Sequence, residues 1–331
     1  MTSASSATRP AAPPPRWRRI VGTVGGVVLG AVLLFAAWAK MLDPAAFAGQ
    51  IEAEGLDFLL PAATVALIAV AIEVFLGGAL VLGLRRLWIL VPATVLVVFF
   101  VFLTGRAYWR DIQGIEVDQE ASCGCFGKLV ERTPAEAFWQ DLLLLVPPLA
   151  LAFVGRRRWA SGERTSGGLV KTRLATVGTL TAAAVLVAWK APDLPLDDLA
   201  TRLRPGADAR SFCAGRAEDG SRVCLTDTLP EIANGEHLVV IADVEDETFG
   251  EAVARLNEYH WAGGPPLWVL SSATSEQLFT FRFSRGPAFE IREAPPALLA
   301  PLYRTLPRSF RVLDGRVVET YSGLPPLDAP S

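Results

Sequence analysis

The chain is poor in the residues that bind metals and nucleic acids. It contains two histidines and four cysteines, and none of the cysteines forms a Cys-x-x-Cys motif. Structural zinc sites use a full set of such ligands at short spacing, so the sequence argues against one. The formal net charge is -3, so the chain lacks the basic excess that neutralises nucleic-acid phosphates. The remaining candidates for functional residues are the cysteines and a few charged residues within apolar segments.

Long hydrophobic runs dominate the first 190 residues. Hydrophobic residues make up 51% of the chain, which is more than a soluble protein usually has. Five runs approach the roughly 20 residues that cross the bilayer core. They are Ile20–Ala39, Pro61–Gly83, Leu87–Thr104, Pro134–Gly155 and Leu174–Trp189. We therefore predict a polytopic helical membrane bundle of four helices, with a fifth connecting helix, in contact with the lipid bilayer.

Three clusters of basic residues predict the orientation of these helices. The clusters are Arg16, Arg18 and Arg19; Arg85 and Arg86; and Arg156, Arg157, Arg158, Arg164, Lys171 and Arg173. Basic residues concentrate in cytoplasmic loops. The N-terminus is therefore predicted to be cytoplasmic at the cell (inner) membrane, and everything after Lys190 to be extracytoplasmic.

A cleaved secretory signal ending near Ala37-Trp38-Ala39 is an alternative for the first run. Gly22, Gly26 and Gly30 recur every four residues, which is typical of packed spanning helices and favours a retained helix.

The region after the fifth run has an α/β pattern. Asp314-Gly315 between two apolar stretches is a strong hairpin signal. The other predicted elements are strands at Leu238–Ile241 and Leu267–Leu270, a helix opened by a capping box at Thr248–Glu251, and a helix from Ser275. The predicted boundaries are a cytoplasmic tail at 1–18, the bundle at 19–155, a cytoplasmic loop at 156–172, the fifth helix at 173–190, a linker at 191–206 and a soluble domain at 207–331.

Cys123 and Cys125 form a Cys-Gly-Cys motif just before the fourth run, on the predicted outer face. The Thr133-Pro134-Ala135-Glu136 sequence predicts the start of that helix, so the pair lies only a few residues above it. A disulfide across one intervening residue has poor geometry, and strain makes such a bond more oxidising. We take this pair as the candidate catalytic site. Separate structural bridges, free thiols or a metal ligand role are the alternatives.

Cys213 and Cys224 flank a polar stretch that contains Asp219-Gly220. A hairpin closed by a disulfide explains them without any activity. The alternative is a relay pair that passes electrons between Cys123/Cys125 and a client.

Glu73, Lys40 and Asp43 are charged residues in or beside spanning segments. Glu73 lies near mid-membrane, where a carboxyl group is costly and is a functional candidate. In a functional role, Glu73 would relay protons or contact a quinone head group. In a structural role, it would be protonated and bonded to Thr or Trp of a neighbouring helix. Lys40 with Asp43 forms either a salt-bridged anchor or part of a site near the cysteines.

Three motifs resemble those of known membrane families. Ala39-Lys40-Met41-Leu42-Asp43-Pro44 and the segment around Glu73 resemble the DoxX and MauE families, and Ser122-Cys123-Gly124-Cys125-Phe126-Gly127 resembles the MauE signature. The resemblance covers residues 19–155. It implies maturation of an enzyme such as methylamine dehydrogenase. The bundle is also similar to vitamin K epoxide reductase, which implies quinone as a cofactor.

The soluble domain resembles a thioredoxin fold. Leu306-Pro307-Arg308, followed by the Asp-Gly hairpin, is similar to that fold's cis-proline and terminal hairpin, which makes Pro307 a client-binding candidate. Where the fold carries Cys-x-x-Cys, this chain has Val244-Glu245-Asp246-Glu247-Thr248.

The resulting hypothesis is a membrane thiol–disulfide protein that acts on an extracytoplasmic thiol-containing client. A non-enzymatic assembly or anchoring factor and a DoxX-like quinone-linked subunit are the alternatives.

Overall fold

The computed structural model describes residues 15–113, 132–155, 167–214 and 222–327. Cys123 and Cys125 lie outside these ranges. The chain divides into two compact units. The first is built from the long helices, and the second contains the C-terminal domain together with segment Leu42–Ala63.

In the described part of the chain, six α-helices of ten or more residues precede the C-terminal domain. They are α1 (Arg16–Leu42), α2 (Pro44–Ala53), α3 (Ala62–Val81), α4 (Leu87–Ile112), α5 (Pro134–Val154) and α6 (Gly167–Lys190). All except the short α2 are long and apolar enough to cross a membrane. The five predicted spans are therefore confirmed as helices, and the chain is a multi-pass membrane protein.

Local sequence signals determine where α5 begins. The Thr133 hydroxyl accepts a hydrogen bond from the backbone N–H of Glu136, at 3.2 Å. The Glu136 carboxylate accepts one from the Thr133 N–H, at 2.9 Å. This reciprocal pair satisfies two backbone donors of the first turn, and Pro134 occupies a position that needs no donor. The predicted start of the helix is confirmed.

Glycines let α1 pack closely against two other helices. Gly22 lies against Gly155 at the end of α5. A Cβ atom on Gly30 would lie 2.6 Å from the carbonyl oxygen of Gly77 in α3, closer than real contacts allow. The glycine pattern of α1 therefore serves helix packing, as its spacing predicted.

The C-terminal domain contains a five-stranded mixed sheet. Its order is β5–β4–β3–β6–β7, with β3, β4 and β5 parallel and β6 and β7 antiparallel. The elements are α7 (Asp197–Ala200), β1 (Cys213–Ala214), β2 (Val223–Cys224), α8 (Leu225–Thr228), β3 (Glu236–Ile241), α9 (Glu247–Trp261), β4 (Leu267–Ser271), α10 (Ser275–Arg285), β5 (Glu290–Glu293), α11 (Pro296–Leu299), β6 (Arg308–Leu313) and β7 (Arg316–Tyr321). One core cluster, around Phe310, covers one face of the sheet, and a second, around Phe249, covers the other.

Two features of this domain differ from the sequence prediction. Helix α9 is capped by Asp246, whose carboxylate accepts from the Thr248 N–H at 3.0 Å. The predicted capping box at Thr248–Glu251 is therefore wrong, because Asp246 precedes it and competes for the same donors. Strand β5 was not predicted, because three of its four residues are charged and only Ile291 is buried.

Candidate functional site

Cys213 and Cys224 form a disulfide. They are directly paired residues of the two-stranded ribbon β1–β2, and their Cα atoms lie 3.9 Å apart. The backbone N–H of Cys224 also donates to the Asp227 carboxylate at 2.8 Å, which begins α8. The bridge joins the two strands of this ribbon, and its role as a structural or a relay disulfide stays a prediction.

A buried ion pair joins α1 to α3. The Lys40 ammonium contacts the Glu73 carboxylate, and the two side chains are 2% and 0% exposed. The Lys40 nitrogen also lies 4.7 Å from the centre of the Phe100 ring on α4. Among the described residues, the second carboxylate oxygen of Glu73 has no hydrogen-bond partner. The site thus offers a charged donor, an aromatic face and one open acceptor.

The structure corrects one expectation about these charges. Asp43 caps α2 and accepts from the Ala46 N–H at 3.0 Å, while Lys40 contacts Glu73. Lys40 thus takes part in a pairing across two helices, and the Lys40–Asp43 anchor stays a prediction. Glu73 is bonded to a lysine and not to a threonine or tryptophan, because a buried carboxylate gains most from an opposite charge.

An apolar cavity lies on another side of α1 and α3. It has a volume of about 310 Å³, is open on one side, and is also lined by α6. Trp38 and Met41 line it from α1, Val74 and Gly78 from α3, and Leu180 from α6. Met41 and Val74 directly follow Lys40 and Glu73 in the sequence. The residues that line the cavity are almost entirely apolar.

A second buried ion pair lies at the start of α5. The Arg132 guanidinium contacts the Asp141 carboxylate at 3.0 Å, and both side chains are almost fully buried. Neither residue is among the site residues predicted from the sequence. The signal was present, since Asp141 is an acidic residue within an apolar run, as Glu73 is.

Pro307 precedes β6, and its peptide bond with Leu306 is cis. The next residue, Arg308, is buried, and its guanidinium donates to Asp198 at 2.6 Å and to Ser322 at 3.0 Å. Asp198 also accepts from the Thr320 hydroxyl at 2.8 Å. A polar network therefore holds the first residue of β6 next to the cis-proline.

The chain that follows α6 is bonded to the same edge of the sheet. Arg304 donates to the carbonyl oxygens of Ala191 and Leu194, at 2.6 and 3.2 Å. The N–H of Gly206 donates to the Val317 carbonyl at 2.7 Å. The segment predicted as a linker, residues 191–206, thus makes fixed contacts with the C-terminal domain.

In this chain, the position at which thioredoxins carry Cys-x-x-Cys is the start of α9, and it contains no thiol. The Thr248 hydroxyl donates to Asp246 at 2.6 Å, and the Thr248 N–H donates at 3.0 Å. These bonds hold the pKa of the Asp246 carboxyl below its ordinary value. The local chemistry is that of a helix cap.

The fold and these sites define a multi-pass membrane protein with a C-terminal thioredoxin-like domain. The sequence model of the family described as methylamine utilisation protein MauE matches residues 18–155. This match confirms the resemblance that the membrane-region motifs indicated.

Among solved structures, the chain is similar to one described as a thiol:disulfide interchange protein, DsbE, from Chlorobium tepidum. The two are 18% identical, the match covers 38% of this chain and 91% of that one, and the TM-score is 0.29. The thioredoxin-like assignment rests on the strand order and the cis-proline. No curated protein matches the chain.

Proposed function

We propose that this protein is an extracytoplasmic thiol–disulfide maturation factor of the cell membrane, with Cys123 and Cys125 as the reacting pair. The Cys213–Cys224 disulfide carries the proposal. The sequence contains four cysteines, and this bridge accounts for two of them. The sulfur atoms left for exchange with another protein are therefore those of the Cys-Gly-Cys motif.

The exchange is a two-electron transfer. A client thiolate attacks one sulfur of an oxidised Cys123–Cys125 bond, which forms a mixed disulfide and releases the other cysteine as a thiolate that takes a proton. A second client thiolate then attacks the mixed disulfide and expels the remaining cysteine thiolate, which is protonated in turn. The client gains one disulfide, and the Cys-Gly-Cys pair holds two electrons and two protons.

The Lys40–Glu73 site supports a quinone as the class of compound that accepts electrons from the reduced Cys123/Cys125 pair. Bound there, a quinone would supply a two-electron, two-proton sink. Lys40 can donate a hydrogen bond to a carbonyl oxygen of the ring, and the open Glu73 oxygen can accept one from a hydroxyl group. The apolar cavity beside α1 and α3 is suited to an isoprenoid tail.

The C-terminal domain is proposed to hold the client near Pro307 and not to exchange thiols at the usual position. Methylamine dehydrogenase is one client class, by resemblance to the MauE family. The orientation proposed from the basic clusters places the cysteines and this domain outside the cytoplasm.

Trapping of mixed disulfides tests the proposal. Cys123→Ser and Cys125→Ser variants are expressed in cells, and adducts are quenched with acid and separated without reductant. One of the two variants is expected to accumulate a reductant-sensitive adduct with a client. The double variant Cys213→Ser/Cys224→Ser is the control and retains oxidation of the Cys-Gly-Cys pair.

Absence of an adduct with both single variants would favour the assembly-factor alternative. Labelling of intact cells with a membrane-impermeant maleimide tests the topology separately. Protection of both cysteines from that reagent would contradict an extracytoplasmic site.

A further inference from the structure

His237 is a buried histidine whose two ring nitrogens both have partners. It is the second residue of β3 and is 8% exposed. Its Nδ1 accepts a hydrogen bond from the indole N–H of Trp268 at 3.1 Å. Its Nε2 lies 2.7 Å from the carbonyl oxygen of Asn234. An indole nitrogen can only donate and a carbonyl oxygen can only accept, so the proton is on Nε2 and the ring is neutral.

Trp268 connects this histidine to a cluster of ion pairs. The Arg292 guanidinium of β5 lies 4.6 Å from the centre of the Trp268 ring, which is a cation–π distance. Arg292 also donates to both carboxylate oxygens of Glu231, at 2.7 and 2.9 Å, and to the Thr228 carbonyl oxygen at 3.1 Å. Three neighbouring strands are thus joined to residues 225–233, which comprise α8 and the turn that follows it. We call these residues the α8 segment.

The α8 segment directly follows the disulfide at Cys224. The N–H of Leu225 donates to the carbonyl oxygen of Phe212, the residue before Cys213, at 2.8 Å. Leu225 and Ile232 are completely buried in the core cluster on this face of the sheet. Loss of the polar contacts would therefore loosen the segment beside the disulfide while the apolar contacts keep the domain folded.

We propose that His237 is an acid-sensitive lock on the α8 segment and on access to the Cys213–Cys224 bridge. Histidine side chains take up a proton between pH 8 and 5. A proton on Nδ1 would face the indole N–H of Trp268, so the hydrogen bond between them is lost and the indole donor has no acceptor. The two rings then separate, which displaces the indole beneath Arg292 and loosens the α8 segment. This lock does not depend on the thiol exchange proposed above.

Charged side chains surround this part of the sheet. They are Glu231, Glu290 and Arg292 on the face that carries His237, Arg210 and Asp314 in the adjoining turns, and Glu236 and Arg311 on the opposite face. Both glutamates on the His237 face are bonded to Arg292, which compensates their charge. The hydrogen bonds from Arg292 hold the pKa of the Glu231 carboxyl below its ordinary value, so Glu231 stays charged while histidine titrates.

Hydrogen–deuterium exchange of the purified full-length protein tests the lock. Peptides that cover the α8 segment are followed by mass spectrometry at about pH 7.5 and about pH 5.5, with labelling times scaled for the intrinsic pH dependence of amide exchange. Local opening then appears as faster scaled exchange. The wild-type segment is expected to exchange about two- to tenfold faster at the lower pH, the factor that corresponds to one hydrogen bond. Peptides from α10 are expected to be unchanged.

The chain contains two histidines, which provide a matched pair of variants. His237→Asn places an amide oxygen near the position of Nδ1, where it accepts from Trp268 at either pH, so the scaled rate is expected to be equal at both. Trp268→Phe removes the N–H that opposes the proton and is expected to lose the pH response as well. His260→Asn changes an exposed histidine in the last turn of α9 and is expected to keep the wild-type response.

Access to the bridge is measured in the same preparations. A water-soluble phosphine reduces Cys213–Cys224, the released thiols are alkylated, and peptide mass spectrometry resolves the reduction rate of this bridge. The ratio of the rates at the lower and the higher pH is expected to be about two- to tenfold larger in wild type than in His237→Asn. Comparison of the two proteins removes the pH dependence of the phosphine itself.

Equal scaled exchange rates of the wild-type segment at both pH values, or a pH response that persists in His237→Asn, would overturn the lock. Equal reduction ratios in the two proteins would overturn its control of the bridge. The test remains decisive if His237→Asn does not accumulate. Loss of the response in Trp268→Phe but not in His260→Asn then supports the lock, and a response that persists in Trp268→Phe contradicts it.

Discussion

The Lys40–Glu73 ion pair allows a quantitative test of how charge stabilises the helical bundle. Replacement of Lys40 by methionine keeps most of the side-chain volume but leaves the Glu73 carboxylate, which is 0% exposed, without its cation. Breaking a buried pair by removing one partner costs about 3–5 kcal/mol. Loss of the contact with the Phe100 ring adds about 0.5–2 kcal/mol. We therefore expect Lys40→Met to lower the free energy of unfolding by about 4 kcal/mol or more.

The reciprocal change and the double variant complete the test. Glu73→Gln leaves a buried ammonium and is expected to cost about 3 kcal/mol or more. Lys40→Met/Glu73→Gln leaves no uncompensated charge, so it should be more stable than either single variant. Lys190→Met is the control, since it breaks an exposed pair, whose contribution is about 0–1 kcal/mol.

Equilibrium unfolding in mixed micelles, followed by circular dichroism, gives the four free energies of the cycle. A double variant whose loss equals the sum of the two single losses would refute the coupling. A Lys40→Met variant as stable as the Lys190→Met control would refute the claim that burial makes this pair costly to break.

Three further predictions concern other parts of the molecule. Reduction of the Cys213–Cys224 bridge, which spans 11 residues, is expected to destabilise the C-terminal domain by about 3 kcal/mol in thermal unfolding, because it releases a constraint on the unfolded chain. Gly30→Ala should destabilise the bundle by about 1–3 kcal/mol, since its Cβ would clash with a carbonyl oxygen of α3. Gly49→Ala is the control and should be neutral in the same thermal unfolding assay, because the space around Gly49 is open. Burial and a hydrogen bond to a neighbouring glutamate raise the pKa of Tyr321 from 10.0 to about 12. The contribution of Tyr321 to stability should therefore be complete below pH 10 and be lost as the pH rises through 12. Tyr321→Phe should remove this pH dependence from the free energy of unfolding measured between the two pH values.

Several features of the fold could be predicted from local sequence. The five spans follow from the length and hydropathy of contiguous segments. The start of α5 follows from four consecutive residues beginning at Thr133, and the final hairpin follows from Asp314-Gly315, both of which have positive φ. Each of these features depends on neighbours in the chain, so one sequence contains all the information that is needed.

Partner choice over long distances could not be predicted in the same way. Lys40 has Asp43 three residues away, yet it pairs with Glu73, which is 33 residues away. Arg308 could have been a surface arginine beside a proline, but the structure buries it against Asp198, 110 residues earlier in the chain. Composition does not reveal such pairings, because they depend on which helices and strands become neighbours.

The sequence by itself determined the membrane spans, the α/β pattern of the C-terminal domain and the places of the cysteines along the chain. Only the tertiary structure decided that Cys213 is bonded to Cys224, that Glu73 faces a lysine and that Arg132 reaches Asp141. The physical reason is that hydropathy and capping act along a continuous stretch of chain. The stabilisation of a buried charge or the closure of a disulfide depends instead on two atoms meeting after folding.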